Sequence, residues 1–165
     1  MNEPLEVSVE QSKLLGNALR VQIIRVLTEE PKTSKQVADL LGHSPGNVHY
    51  HIRKLYEGGL IDLVEEKQFG GVMEKYYKSK AKWFNSDSKE TIDPALRDDF
   101  QSSNATTLSL RLKLTEEQQT ELTNEFKIFL EKWVEKTSVN HEGMDSKEFS
   151  IGVKIVSTKP SGENK

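Results

Sequence analysis

The sequence predicts an α+β fold, and three patterns in its 165 residues carry that prediction. Apolar residues recur at helical spacing from Val9 to Leu55, in short stretches separated by Gly, Asn and Pro. The period drops to two on either side of Gly70-Gly71. Beyond residue 105, one more helical stretch stands between two segments that alternate apolar and polar residues.

The first helical stretch begins at Val9 and breaks at Gly16-Asn17, a pair suited to ending one helix and capping the next. From Ala18 to about Glu29, Leu19, Ile23, Val26 and Leu27 recur three and four residues apart, and Pro31 closes the helix. Thr33-Ser34-Lys35-Gln36 has the form of a capping box, in which the Thr33 hydroxyl and the Gln36 side chain satisfy backbone amides reciprocally. A third helix is therefore predicted up to Leu41. Gly42 stands where a left-handed residue ends a helix, Ser44 is a natural N-cap and Pro45 a natural first residue of a fourth helix. That helix turns Val48, Ile52 and Leu55 inward and stops at Gly58-Gly59. Two short helices joined by a three-residue turn containing glycine make a helix-turn-helix.

Ile61 to Phe69 and Val72 to Ser79 read as two strands of a hairpin, with Gly70-Gly71 supplying the positive φ of its turn. A hairpin packed on such helices is a wing, so residues 1–82 are predicted to be a winged helix-turn-helix. Residues 83–105 read as a linker with a short helix from Pro94 to about Gln101. Residues 106–158 read as a strand-helix-strand unit for dimerisation or sensing. Leu108, Leu110, Leu112 and Leu114 mark its first strand, and Phe149, Ile151, Val153 and Ile155 its second. Thr115-Glu116-Glu117-Gln118 opens the helix between them, whose inward stripe is Leu122, Phe126, Phe129, Leu130, Trp133 and Val134. Two strands and one helix bury little alone, so the unit needs a neighbour. The polar tail, residues 159–165, reads as disordered.

Composition excludes several functions. With no cysteine there are no disulfides, thiolate metal sites or thiol nucleophiles. No Gly-rich phosphate loop, nucleophile elbow or paired-His motif is present, so an enzyme is not expected, nor any cofactor. His141, Glu142 and Asp145 share a loop, but such a group reads as a solvated loop, not a metal site. No run of about 18 apolar residues exists, so the expectation is a soluble cytoplasmic protein without a membrane partner. Net charge is −3, yet residues 31–82 carry nine Lys or Arg against six Asp or Glu. The basic surplus falls on the helix-turn-helix and its wing, where a polyanion would be held.

The runs Leu15 to Leu27, Thr33 to Ala38 and Val48 to Ile61 resemble the ArsR-type (arsenic-repressor-like) winged-helix transcription regulators of bacteria and archaea, over roughly residues 10–82. The resemblance implies a homodimeric regulator, expected to be a repressor, whose fourth helix enters the major groove of a double-stranded DNA operator while the wing meets flanking DNA. It leaves room for a small-molecule effector that the sequence does not specify. Cysteine pairs that sense soft metals in that family have no counterpart here, and residues 116–137 contain no His for a C-terminal metal site. The alternative is a winged-helix protein-protein interaction module without DNA binding, for which overall acidity is the support.

The DNA-binding residues expected on this reading are Lys35, Ser44, Pro45, Asn47, His49, Tyr50, Arg53 and Lys54 around the fourth helix, with Lys67 and Gln68 in the wing. Hydroxyl, amide and cationic groups off an apolar stripe are what phosphate and base-edge contact requires. His51 faces away from His49 and is expected to be a partly buried structural histidine. The Phe126, Phe129, Trp133 stripe is read as core, with an apolar effector pocket as the alternative.

Overall fold

The computed structural model describes residues 3–86, 93–138 and 145–159. A two-residue strand, β1 (Leu5–Glu6), leads into α1 (Val9–Leu14), α2 (Ala18–Glu29), α3 (Ser34–Leu41) and α4 (Pro45–Glu57). The wing follows as β2 (Ile61–Phe69) and β3 (Val72–Ser79), then β4 (Phe84–Asn85), a single 3-10 turn at Pro94–Leu96 and α5 (Glu116–Thr137).

Local chemistry sets the helix bounds. Asn17, Thr33 and Ser44 each accept a hydrogen bond from a backbone amide three residues on, and Thr33 completes a capping box with Gln36. Gly42 ends α3 at φ 67°, a left-handed conformation that a Cβ resists. Gly58 ends α4 for a different reason. A Cβ there would stand 2.1 Å from Leu14 Cδ1, so glycine lets α1 lie against the end of α4, where Gln11 Nε2 donates to the Gly58 carbonyl at 2.9 Å.

One core holds α2, α3, α4 and the base of the wing together. Ile23, Leu27, Val37, Val48, Ile52, Leu55, Leu60 and Ile61 have at most 1 % of their surface exposed. The hairpin is antiparallel, with Ile61 opposite Ser79 and Phe69 opposite Val72, and the register slips at Val64, between the pairs Leu63 with Tyr77 and Glu65 with Tyr76. Lys32 and Tyr77 exchange both backbone hydrogen bonds, so the α2–α3 connection pairs with the base of the wing.

Four expectations are corrected. Trp83 to Asn85 do not belong to a linker: β4 pairs in parallel with β1, and Phe84 packs on the core, so this body runs to Ser86. The helix expected from Pro94 to Gln101 is only the turn Pro94–Leu96, because Arg97 takes an extended ψ of 130°. Residues 107–114 and 149–156 form no strand in the described chain, since a strand's hydrogen bonds must come from a neighbour and none lies beside them. α5 buries no residue fully, and its stripe is covered in part: Leu122, Leu130 and Val134 are half-buried, whereas Phe126, Phe129 and Trp133 are exposed, Trp133 by 46 %. His141, Glu142 and residues 160–165 lie outside the described residues.

Although it has no core of its own, α5 is anchored. Glu131 accepts from Trp83 Nε1 at 2.9 Å and pairs with Lys82 at 2.8 Å; Glu135 pairs with Arg25 at 3.3 Å, and Gln22 donates to the Thr137 carbonyl at 2.8 Å. These polar contacts fasten the C-terminal half of the helix to α2 and the segment after the wing.

Candidate nucleic-acid interface

The site is built on α4, whose orientation is fixed from beneath. Val48, Ile52 and Leu55 are buried against α2 and α3, which leaves Ser44, Pro45, Gly46, Asn47, His49, Tyr50 and Arg53 in solvent and Lys54 half-buried. Gly46, His49, Tyr50 and Arg53 fall at spacings of three and four along one ridge, and Asn47 and Lys54 flank it on the Tyr50 side. Ser44 Oγ accepts from the Asn47 amide at 3.4 Å and caps the helix at the end of the turn from α3.

Partners within the ridge hold its side chains. Arg53 Nε lies 3.2 Å from Glu57 Oε1 one turn on, and Lys54 Nζ sits 5.8 Å from the centre of the Tyr50 ring. His49 Nδ1 is 3.5 Å from Ser34 Oγ, which ties the ridge to the first turn of α3, where Lys35 is also exposed. Lys35, Ser44, Pro45, Asn47, His49, Tyr50, Arg53 and Lys54 are therefore brought together on the surface of the two helices.

His51 is on the other side, as its spacing predicts. Arg20 Nε donates to His51 Nδ1 at 3.3 Å, and Arg20 Nη1 donates to the Leu14 carbonyl at 2.9 Å. Partial burial first, then the neighbouring Arg20 and His43, hold the His51 pKa below its ordinary value. A neutral ring is what an Nδ1 that accepts from a guanidinium requires. Arg20 and α1, neither singled out in the sequence as part of a site, thus brace α4 from behind; Gly58, read in the sequence only as a helix stop, was the available signal for α1.

The wing carries Lys67 and Gln68 exposed, but its cations are engaged. Lys67 bonds Glu65 at 3.0 Å and lies 5.0 Å from the Tyr76 ring centre, and Lys75 is 3.5 Å from Glu66. The Glu65 carboxylate raises the Lys67 pKa, keeping it a cation. At the tip, Phe69, Val72 and Met73 are exposed, an apolar end that the reading of Lys67 and Gln68 overlooked. Among the described residues no three acidic or histidine side chains gather into a group suited to a metal ion, and no helix is long and apolar enough to cross a membrane.

Four helices on one core, a short glycine-containing turn before α4 and a hairpin after it define the winged helix-turn-helix class. A family pattern described as a helix-turn-helix domain matches residues 15–64, from the end of α1 to the first strand of the wing. An uncharacterised HTH-type transcriptional regulator of Methanocaldococcus jannaschii is 34 % identical over 83 residues, which cover 49 % of this chain and 84 % of that protein. The chain belongs to the helix-turn-helix transcriptional regulators.

Proposed function

We propose that this protein is a sequence-specific DNA-binding repressor that acts in the cytoplasm as a homodimer, with α4 in the major groove and the β2–β3 wing on flanking DNA. The observation that carries the reading is the division of α4 into a fully buried apolar stripe and a ridge of amide, hydroxyl, imidazole and cationic groups. Asn47 and His49 present hydrogen-bonding groups to base edges, Ser44 and Tyr50 offer hydroxyls, and Lys35, Arg53 and Lys54 neutralise phosphates. The Arg53–Glu57 pair is exposed and stabilises little, so Arg53 exchanges its partner for a phosphate at small cost. Lys67 and Gln68 meet backbone beside the site, and the apolar tip formed by Phe69, Val72 and Met73 rests on sugar edges.

Within its class the chain's resemblance to the ArsR-type regulators supports the homodimer and the repressor. Two readers related by a twofold axis recognise an inverted repeat, and occupancy of such an operator blocks a promoter. Release comes from a change in the angle between the readers, for which the polar seam between α5 and α2 is placed to act as a lever, and a small-molecule effector is one agent of such a change.

Selection of bound fragments from genomic DNA of the source organism tests the reading. The expected result is an enriched inverted repeat near a promoter, with Asn47→Ala or His49→Ala losing about 1 to 3 kcal/mol of discrimination at individual base pairs. Enrichment of no sequence, with α4 retaining a protein ligand, would instead establish the interaction-module alternative.

A further inference from the structure

Residues 107–114 and 149–156 carry no regular secondary structure, alternate apolar with other residues from Leu108 to Leu114 and from Phe149 to Ile155, and are exposed along their length, and their backbone amides and carbonyls have no partner among the described residues. Leu108 is 90 % exposed and Leu110 76 %, while Ile151 is 64 % exposed. Near its start the second segment meets the rest of the chain, where the Ser150 hydroxyl bonds Asp93 and the Ala95 amide, and Gly152 passes close over Leu96. Between the two lies α5, whose Glu131 edge is bound to Lys82 and Trp83. Two residues along a helix is a rotation of about 200°, so Trp133, with Phe126 and Phe129, stands on the side away from that seam.

Resting on the homodimer reading above, we propose that residues 107–114 and 149–156 become β-strands by pairing with the same segments of a second copy of this chain, their apolar sides closing over the Phe126, Phe129, Trp133 stripes. Two observations select a second copy as the occupant. Each segment offers both an unpaired strand edge and an apolar side, so two copies satisfy each other's hydrogen bonds and cover each other's side chains, as an isologous interface requires. The eight alternating apolar residues, Leu108 to Leu114 and Phe149 to Ile155, withdraw roughly 100 Å² apiece from water when buried, about 800 Å² from each copy and the scale of a stable interface.

Hydrogen exchange of the full chain, followed from dilute to concentrated protein alongside sedimentation velocity, tests the proposal. Amides in both segments are expected to exchange as unstructured chain in the monomer and at least about tenfold more slowly in the dimer. Leu110→Lys combined with Ile151→Lys is expected to weaken the dimer at least about 100-fold while the urea midpoint of the N-terminal body is unchanged. A dimer whose two segments stay unprotected, or a double variant that dimerises as well as the parent, overturns the proposal and leaves the homodimer reading standing. Equal protection in the monomer means that the segments pair within one chain, which also overturns it. A chain that is monomeric at every concentration removes both readings.

Discussion

Thr33 and Thr115 make the same capping box, with hydroxyl-to-amide distances of 3.2 Å and return bonds of 2.9 and 3.0 Å, yet the helices they open have different surroundings. The eight residues of α3 include three buried ones, Val37, Ala38 and Leu41; the 22 residues of α5 include none. Capping, propensity and amphipathic spacing are properties of a few consecutive residues and form in either place. Burial is a property of the neighbours. The N-terminal body has them in α2, α4 and the wing, whereas α5 is tied to the rest of the chain by polar contacts of Glu131, Glu135 and Thr137 and leaves Leu130 and Val134 only half-buried.

That contrast is sharpened first by deletion of core methyl groups. Leu55→Ala, at a site with no exposed surface, is expected to lower stability by about 2 to 5 kcal/mol in urea titration, whereas Leu110→Ala in dilute monomer is expected to change it by less than about 0.5 kcal/mol. Equal effects would break the distinction between the two regions. Next in size is Gly58→Ala, which drives a methyl group into Leu14 and is expected to cost about 1 to 3 kcal/mol; Leu14→Ala in the same chain should recover part of the loss, read as a double-mutant coupling.

Removing the two caps compares the regions at constant chemistry. Thr33→Ala is expected to lower global stability by about 1 kcal/mol, while Thr115→Ala reduces helicity by circular dichroism without moving the unfolding midpoint of the N-terminal body. The smallest effect is that of pH on His51. Its folded pKa is depressed, so the unfolded chain binds more protons below the ordinary value near 6.5. Stability is therefore full above that pH and falls as the pH is lowered through 6.5 toward the folded pKa. His51→Gln is expected to flatten that part of the profile, and an unchanged slope would show that other groups set it.

The same division explains how much was legible in the sequence. Helices α2, α3 and α4 could be placed from their caps and stripes, because an α-helix satisfies its own hydrogen bonds and advertises its bounds in Asn17, Thr33, Ser44 and Gly42, whereas the Ser8 capping box that opens α1 was passed over. The wing was legible because Gly70-Gly71 brings its two strands together within one chain. Pairing of β1 with β4 was not, since two residues carry no period and the partners lie about 80 positions apart. In residues 107–114 and 149–156 the period was correctly read and the strands are nevertheless absent, because alternation describes a side-chain face and says nothing of where the backbone partner is. For the α4 ridge, the sequence supplied the outward residues; it did not supply the bonds that restrain them, Arg53 to Glu57 and His49 to Ser34, or the brace from Arg20 to His51.

The central claim is that the ridge of α4 reads DNA, and the salt dependence of binding by the full chain tests it most directly. Each phosphate neutralised contributes about 0.9 to the slope of log K against log salt. Replacing Arg53 and Lys54 by Ala is expected to make that slope shallower by about 2 for each reader engaged and to weaken binding on operator and random duplex alike. A double variant with the parent's slope and affinity would contradict the claim and move the DNA contact away from α4.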